Sequence, residues 1–222
     1  MSGIDSTWSF SEEDRLIYIE HRKNKVEELA TIQKGHGCEI DLRSDVHRKG
    51  RMHVSHNPWE IGDDFDQWME AFHRCSLQGP LVLNTKEDGL EEMLFQAMKK
   101  YSVSQFLFLD TAFPTLVRYV QQGLGAHFML RISSFEQYQN MDLFAGRIEW
   151  LWLDCFQRKP LDLQMVLSLK KMGFKLCLVS PELQGGQVEE FGSFLSLAEI
   201  CDSICTKKYS EWQKRLPSSG GF

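Results

Sequence analysis

The stretch Cys38-Glu39-Ile40-Asp41-Leu42 alternates acidic and apolar side chains, which is the pattern of a β-strand with two different faces. In such a strand Glu39 and Asp41 point to one face, and their apolar neighbours point to the other. Two carboxylates close together on a buried face repel each other and lose hydration. A divalent cation relieves both penalties, and carboxylate oxygens suit Mg²⁺ or Ca²⁺. The stretch therefore predicts a strand that carries a metal site.

Two histidines flank this strand in the sequence, each at the end of an apolar run. His21 precedes Glu39, and His56 follows Asp41. Imidazole can accept or donate a proton near neutral pH because its usual pKa is about 6.5. A Glu-x-Asp pair alone is more often a salt-bridged structural pair, and the two histidines favour a functional site. A cation between two imidazoles is suited to phosphodiester chemistry.

The composition is that of an ordinary globular protein. The chain has 222 residues, of which 42% are hydrophobic and 25% are charged, and this length fits a single α/β barrel. A formal net charge of −6 does not favour binding to nucleic acid or to an anionic membrane surface. We therefore expect no nucleic-acid partner, and the oligomeric state is left open.

The cysteines indicate a reducing compartment, and the apolar runs are too short to predict a membrane span. No two cysteines form a C-x-x-C pair, and most lie in or beside apolar strand-like runs, as reduced core cysteines do. No signal-peptide pattern opens the chain, and no run reaches the roughly 18 apolar residues of a membrane span. These features predict a cytoplasmic protein without a membrane span. The cysteines are Cys38, Cys75, Cys155, Cys177, Cys201 and Cys205.

Short apolar runs alternate with amphipathic segments along most of the chain. Strand–helix alternation repeated eight times predicts a parallel sheet that closes into a single (β/α)8 TIM barrel, with the doubly wound open sheet as the alternative fold. We predict one domain over residues 1–222, with an N-terminal extension at 1–15 and a flexible tail at 216–222. The predicted strands are Leu16–Glu20, Gly37–Leu42, Leu81–Asn84, Phe106–Asp110, His127–Ile132, Ile148–Asp154, Lys175–Ser180 and Ser203–Thr206. The predicted helices are Lys25–Lys34, Asp63–Cys75, Leu90–Tyr101, Pro114–Gln122, Phe135–Phe144, Leu161–Met172 and Glu189–Ile200.

Polar residues at the strand ends favour the barrel. Such a residue stands at or just after nearly every predicted strand, whereas an open sheet would concentrate them at one switch point. The carboxyl ends of barrel strands are where barrel active sites lie. These residues are His21, Asp41, Asn84 with Lys86, Asp110, Arg131, Asp154, Ser180 with Glu182, and Thr206 with Lys207.

The segment after the second strand departs from the simple repeat. Residues Arg43–Pro58 predict an excursion that turns near Gly50 and returns as a short extended segment over Met52–His56. Such a return would place His56 near Asp41, at the same edge of the sheet.

In their order and spacing, these motifs resemble those of the glycerophosphodiester phosphodiesterase-like TIM barrels, within the wider superfamily that includes phosphatidylinositol-specific phospholipase C. That superfamily carries His-Arg after the first strand, Glu-x-Asp on the second, a returning segment that ends in His-Asp, and often Glu-x-Lys on the third strand. The resemblance spans most of the chain. The corresponding residues are His21-Arg22, Glu39-Ile40-Asp41, His56-Asn57 and Asn84-Thr85-Lys86.

The resemblance implies a role for each of these positions. A divalent metal, Mg²⁺ or Ca²⁺, would be the cofactor. We add Asp154 to the substrate-binding residues because it ends a predicted strand, and a structural role is the alternative. The metal ligands would be Glu39, Asp41 and Asn84, the acid–base pair His21 and His56, and the phosphate contacts Arg22 and Lys86.

Two asparagines depart from the superfamily pattern. Asn84 stands where a third carboxylate is usual, and its amide oxygen contributes no charge, so the metal affinity should be lower. Asn57 replaces the aspartate after the second histidine. The short gap between His21 and Glu39, which contains Asn24, is closer to the sphingomyelinase D-type toxins of the same superfamily.

The motifs together predict a metal-dependent phosphodiesterase that cleaves a small glycerophospho- or sugar-phosphodiester by histidine acid–base catalysis. Attack by water would give a monoester, and attack by a substrate hydroxyl would give a cyclic phosphate. The alternative is a catalytically impaired barrel that binds a phosphorylated ligand as an accessory protein in a biosynthetic pathway. The two asparagines favour that alternative.

Several aromatic residues lie near predicted strand ends. Trp59, Phe113 and Phe156 are candidates for an aromatic wall around an apolar or sugar-like leaving group. For Trp150 and Trp152, core packing is the favoured interpretation.

Overall fold

The computed structural model describes residues 16–136 and 139–216, which form a mixed α/β fold around a ten-stranded sheet. The predicted extension at 1–15 and residues 217–222 of the predicted tail lie outside the described residues. All eight predicted strands are present, with bounds that differ by a few residues at most. The strands are β1 (Ile17–Glu20), β2 (Gly37–Ser44), β3 (Met52–Val54), β4 (Asp63–Asp64), β5 (Leu81–Thr85), β6 (Phe106–Leu109), β7 (Met129–Ser133), β8 (Trp150–Asp154), β9 (Lys175–Val179) and β10 (Ser203–Thr206). The α-helices are α1 (Phe65–Cys75), α2 (Glu91–Lys100), α3 (Phe113–Gln121), α4 (Leu163–Lys171), α5 (Leu195–Ala198) and α6 (Tyr209–Arg215).

Eight strands pair in parallel and form one continuous series, in the order β6, β5, β2, β1, β10, β9, β8 and β7. Among the described residues, the two end strands β6 and β7 share no ladder, and one isolated parallel bridge between Phe108 and Phe128 joins them. Parallel pairing places the carboxyl ends of all eight strands at one edge of the sheet, which we call the carboxyl edge.

The segment after β2 returns along it. β3 pairs antiparallel with β2, with Leu42 opposite Val54, and β4 pairs antiparallel with β3. The backbone amide of Ser55 donates to the carbonyl oxygen of Asp41 at 3.0 Å. This pairing holds the next residue, His56, beside the carboxyl end of β2.

Buried apolar side chains form two separate clusters, and consecutive residues of a strand alternate between them. Leu81 and Leu83 belong to the larger cluster, which also contains the helix side chains, whereas Val82 belongs to the smaller one. Strand geometry requires this alternation when both faces of a sheet are covered. Trp150 and Trp152 lie in the smaller cluster, so the prediction that they pack in the core is confirmed.

Three predicted helices are wholly or largely 3₁₀ turns, and α6 is a helix that the sequence pattern does not predict. The 3₁₀ segments are short connections between strands, where such turns are common because they need few residues. Residues 137 and 138 of the predicted helix Phe135–Phe144 are outside the described residues. The corrections are Val26–Thr31 for Lys25–Lys34, Met141–Leu143 for Phe135–Phe144, and Val188–Phe194 followed by α5 for Glu189–Ile200.

All six cysteines are free thiols, and five of them are buried. Burial raises the pKa of Cys155 to about 11 and that of Cys177 to about 12, so both remain protonated. Cys75 is exposed at the end of α1. The prediction of reduced core cysteines is therefore confirmed for five of the six.

The helices of the described residues are all too short, or not apolar enough, to cross a membrane.

Candidate active site

The carboxyl edge brings together most of the residues predicted for the site. β2 carries Glu39 and Asp41, and its register with β5 sets Asp41 opposite Asn84. β1 pairs with β2 and ends directly before His21 and Arg22. Neighbouring parallel strands thus deliver these side chains to one place. The members of this histidine cluster are His21, Arg22, Glu39, Asp41, His56, Asn84 and Lys86.

Glu39 is fully buried and is held from three directions. The backbone amide of Arg22 donates to its Oε2 at 2.8 Å, and Nδ2 of Asn84 donates to its Oε1 at 2.9 Å. Nε2 of His21 lies 3.7 Å from Oε2. Burial, and then the charge of Asp41, raise the pKa of Glu39 to about 7. The carboxyl group of Glu39 is therefore only partly ionised at neutral pH.

Asp41 is equally buried, but its partners keep it ionised. Nζ of Lys86 lies 3.0 Å from Oδ1, and Nδ2 of Asn24 donates to Oδ2 at 2.8 Å. Burial opposes ionisation, and Lys86, Asn24 and His56 together outweigh it, so the pKa of Asp41 is lowered. The environments of Glu39 and Asp41 thus push the two pKa values in opposite directions, as at many acid–base sites.

His56 is held in one orientation by two partners. Its Nδ1 lies 3.2 Å from Oδ1 of Asp41, and Nη2 of Arg22 lies 3.0 Å from its Nε2. A guanidinium group only donates hydrogen bonds, so Nε2 accepts from Arg22 and Nδ1 donates to Asp41. This arrangement is that of the neutral ring with its proton on Nδ1. Nη2 of Arg43 also donates to the carbonyl oxygen of His56 at 2.9 Å, which fixes the backbone there.

His21 lies on the other side of Glu39 and is largely buried. Burial, and then the positive charges of Arg22 and Lys207, lower the pKa of His21 to about 3. The imidazole is therefore neutral at physiological pH and can accept a proton.

Three buried polar atoms of the histidine cluster have no hydrogen-bond partner within the described residues. They are Nδ1 of His21, Nε of Arg22 and Oδ1 of Asn84. Arg22 also adopts a left-handed backbone conformation with φ of 54°, which is uncommon for a residue with a side chain. Unpaired buried polar groups and backbone strain both concentrate at functional sites.

Asp154 lies on the same edge but in a different group of charges. Its carboxylate accepts hydrogen bonds from Arg131 and, at 2.7 Å, from Nε2 of Gln184. Arg131 also pairs with Asp110, whose Oδ2 lies 3.9 Å from Nζ of Lys86. We call Asp110, Arg131, Asp154 and Gln184 the arginine network. The structure does not bring Asp154 into contact with Glu39 or Asp41, and its role in substrate binding stays a prediction.

Exposed aromatic side chains follow several strands at this edge. Phe113, Phe135 and Phe156 come after β6, β7 and β8, and each is at least 40% exposed. The guanidinium carbon of Arg131 lies 5.5 Å from the centre of the Phe156 ring. Trp59, in the segment between β3 and β4, is 94% exposed. An aromatic wall for the leaving group stays a prediction.

The predicted metal ligands are all oxygen donors, but only two of them carry charge. Within the described residues there is no group of three or more histidine, cysteine, aspartate and glutamate side chains arranged to hold a metal. The third predicted donor, Oδ1 of Asn84, is buried and has no hydrogen-bond partner, so it is available as a ligand. The donor set of Glu39, Asp41 and Asn84 fits a hard cation in kind.

Three residues of the site are missing from the predicted set. Asn24 binds the second carboxylate, Arg43 fixes the backbone of His56, and Lys207 lines a cavity of about 230 Å³ beside His21. Asn24 has a sequence signal in its closeness to His21, and Lys207 has one in its position after a predicted strand. Arg43 has no such signal, because its contact depends on the antiparallel return of β3.

No protein-family model matches the chain, and no curated protein matches it in sequence. Solved structures with a similar fold do exist. One is a phosphodiesterase from Oleispira antarctica in complex with the product sn-glycerol-3-phosphate, at 15% identity over 90% of this chain and 95% of that chain, with a TM-score of 0.62.

Two further solved structures are glycerophosphodiester phosphodiesterases. That of Parabacteroides distasonis is 12% identical over 100% of this chain and 96% of its own, with a TM-score of 0.63. That of Agrobacterium tumefaciens is 11% identical over 90% of this chain and 100% of its own, with a TM-score of 0.58. At these identities the similarity is one of fold. The resemblance inferred from the motifs is confirmed at that level: the chain has the fold of the glycerophosphodiester phosphodiesterase-like superfamily.

Proposed function

We propose that the chain is a metal-dependent phosphodiesterase that cleaves a small glycerophospho- or sugar-phosphodiester at the histidine cluster. The observation that carries this proposal is the grouping of three buried atoms without hydrogen-bond partners in the described residues, among two carboxylates and two histidines. Other buried atoms of this kind occur elsewhere in the described residues, and these three are distinguished by lying together among charged side chains, where a ligand can complete their bonding. The shared fold with glycerophosphodiester phosphodiesterases supports the same reaction class.

We also propose that the eight parallel strands form a closed (β/α)8 barrel, with β3 and β4 as the excursion after its second strand. The continuous series of ladders supports this, because the bridge between Phe108 and Phe128 joins its two ends. The smaller apolar cluster supports it too, since it takes alternate residues of the strands as a barrel interior does. The carboxyl edge is then the mouth of the barrel, where barrel active sites lie.

Glu39, Asp41 and Asn84 would hold the divalent cation, Mg²⁺ or Ca²⁺. When bound, the cation supplies neutralisation of the charge that develops on the phosphate oxygens. Arg22 and Lys86 lie against Asp41 and have donors to spare, so we assign them to bind the phosphate.

The two histidines have different roles in this proposal. We assign His21 to accept the proton of the attacking water or substrate hydroxyl, because its ring lies beside Glu39 and the negative charge of a bound phosphate would raise its lowered pKa. We assign His56 to protonate the departing alkoxide through Nε2, because Asp41 orients its ring through Nδ1. Arg22 releases Nε2 of His56 when it binds the phosphate.

Turnover of a chromogenic phosphodiester tests the proposed function. We expect hydrolysis in the presence of Mg²⁺, Ca²⁺ or Mn²⁺ and its loss on addition of a chelator. Phosphorus NMR of the products separates a monoester from a cyclic phosphate. Absence of turnover with every metal and with several diesters would contradict the proposal.

A second candidate is a barrel that binds a phosphorylated ligand without cleaving it, as an accessory protein in a biosynthetic pathway. The observation that favours it is the neutral amide of Asn84 in place of a third charged metal ligand. Thermal stabilisation by a phosphorylated ligand, together with no turnover, is the result that would select it.

A small phosphodiester as the ligand and a cytoplasmic location complete the proposal. The buried free thiols support the location, because free cysteines are typical of reducing compartments.

A further inference from the structure

Lys207 is a cation at the carboxyl edge whose side chain has no hydrogen-bond or ion-pair partner among the described residues. The cations of the histidine cluster and of the arginine network are engaged. Arg22 and Lys86 face Asp41, and Arg131 belongs to the arginine network. The side chain of Lys207 is exposed, so its ammonium group is free to meet a ligand.

The backbone of Lys207 is fixed at the end of β10, next to β1. Its amide donates to Oε1 of Glu182 at 3.0 Å, and the hydroxyl of Thr206 donates to the same carboxylate. The amide of His21 donates to the carbonyl oxygen of Thr206 at 3.2 Å. The two strand ends are thereby held side by side. The cavity of about 230 Å³ beside them is lined by His21, Arg22 and Lys207, and also by Glu28 and by Glu20, whose carboxylate is paired with Lys23.

Without the proposed divalent cation, the charges of the histidine cluster nearly cancel. Glu39 and Asp41 carry at most two negative charges, and Arg22 and Lys86 carry two positive ones that face them. These four side chains alone therefore present little net positive charge to an anionic phosphate. A further cation that is not already paired adds attraction where the cluster has little.

We propose that Lys207 binds a non-bridging oxygen of the substrate's phosphate group, in the cavity beside His21. This inference rests on the proposed function, since it adds a phosphate contact to Arg22 and Lys86 at the same site. The ligand chemistry is that of a phosphate oxyanion, which a diester substrate and a phosphomonoester product share.

The neighbouring Lys208 provides a matched control. Lys208 is also exposed and also lacks an ion pair in the described part of the chain, but it does not line the cavity. Lys207→Met and Lys208→Met each remove one positive charge from adjacent positions. Any difference between the two variants therefore reports the position of the charge and not the net charge of the protein.

The experiment measures the affinity for inorganic phosphate by titration calorimetry, with chelator present and at low ionic strength. We expect Lys207→Met to weaken binding about tenfold, the usual scale for loss of one charge-assisted hydrogen bond. Lys208→Met should change it less than about twofold, and both variants should keep the melting temperature of the parent. Equal weakening by the two variants, or no phosphate binding by the parent protein, would overturn the inference.

Steady-state kinetics separate this inference from the proposed function. If the parent turns over a diester and Lys207→Met leaves KM and kcat unchanged, the function stands and the role of Lys207 is wrong. If the parent shows no turnover but phosphate binding still depends on Lys207, the phosphate contact stands and the proposed reaction is wrong.

Discussion

At the ends of β1, β2 and β5, the histidine cluster leaves three buried polar atoms without hydrogen-bond partners, whereas at the ends of β6, β7 and β8 the arginine network pairs its charges with one another. Both groups lie on the same carboxyl edge, and both combine carboxylates with cations. Asp41 and Asp154 are nearly equally buried. The two groups differ in whether neighbouring side chains and backbone groups satisfy the hydrogen bonds of their buried polar atoms.

This contrast shows which buried polar atoms are open to a ligand. In the arginine network, Arg131 satisfies Asp110 and Asp154, so a ligand would have to break existing pairs to bind there. In the histidine cluster, Nδ1 of His21 and Oδ1 of Asn84 gain a partner when a ligand arrives. Burial and charge alone do not distinguish the histidine cluster from the arginine network. The hydrogen-bond pairing of individual atoms does distinguish them.

Replacement of His21 or His56, the two histidines proposed for proton transfer, should have the largest effect. We expect His21→Ala and His56→Ala to lower kcat by about 10²- to 10⁴-fold, because each removes a proton-transfer group. The melting temperature should change little, since neither side chain belongs to the apolar clusters. His47→Ala, at an exposed histidine, is the control and should keep full activity. Similar losses in all three variants would contradict the assignment.

Asp154→Asn tests the ion pairs of the arginine network. Loss of one partner of a buried ion pair typically costs about 3 kcal/mol or more, and we expect a value near the lower end because Arg131 keeps Asp110. Chemical denaturation measures this, with Glu211→Gln at an exposed pair as a control that should change stability much less. KM should be nearly unchanged. A raised KM at unchanged stability would instead support direct substrate binding by Asp154.

Asn84→Glu tests the histidine cluster by adding a third carboxylate to it. A third carboxylate should tighten Mn²⁺ binding by about 10- to 100-fold, because affinity for hard cations rises with the number of charged ligands. It should also lower the melting temperature without metal, since it faces the buried Glu39. Asn57→Asp, at the other asparagine that departs from the family pattern, is exposed and should have a smaller effect. Equal metal affinity in the parent and Asn84→Glu would count against Asn84 as a ligand.

The smallest predicted effect is on the pH dependence of stability and concerns His127, which belongs neither to the histidine cluster nor to the arginine network. Burial lowers the pKa of this histidine, whose ring stacks on Phe106 with centroids 4.3 Å apart. The unfolded chain then binds the proton more readily, so this contribution to stability is present above about pH 6.5 and is lost as the pH falls below it. His127→Phe keeps the stacking and should flatten the fall, by up to about 1.4 kcal/mol per pH unit. Denaturation at several pH values measures it, and His73→Phe at an exposed site should leave the profile unchanged.

Sequence patterns predict the strands and the two carboxylates well, because those depend on local alternation. The bounds of β2 and β10 follow from runs of apolar side chains, and Glu39 and Asp41 must share a face in any strand. The convergence of His21 with Glu39 also follows, since parallel neighbours end at the same edge.

Sequence patterns do not predict which long side chains form contacts with each other. Asp154 and Asp41 are both aspartates near strand ends, and only the structure shows that Arg131 reaches the first while Lys86 reaches the second. Lys207 resembles its neighbour in the sequence, and the cavity distinguishes it. Such contacts depend on the register of distant strands and on rotamers, which no local pattern records.

The arginine network has a mechanical consequence at the junction of β6 and β7. The backbone of these two strands is joined by one bridge, so local opening of the sheet breaks the fewest backbone hydrogen bonds there. Asp110 directly follows β6 and Arg131 lies in β7, so their ion pair crosses that junction. The ion pair between Asp110 and Arg131 thus stabilises the contact of β6 with β7 where few backbone hydrogen bonds do. Amide hydrogens of both strands should exchange slowly only while this ion pair is intact.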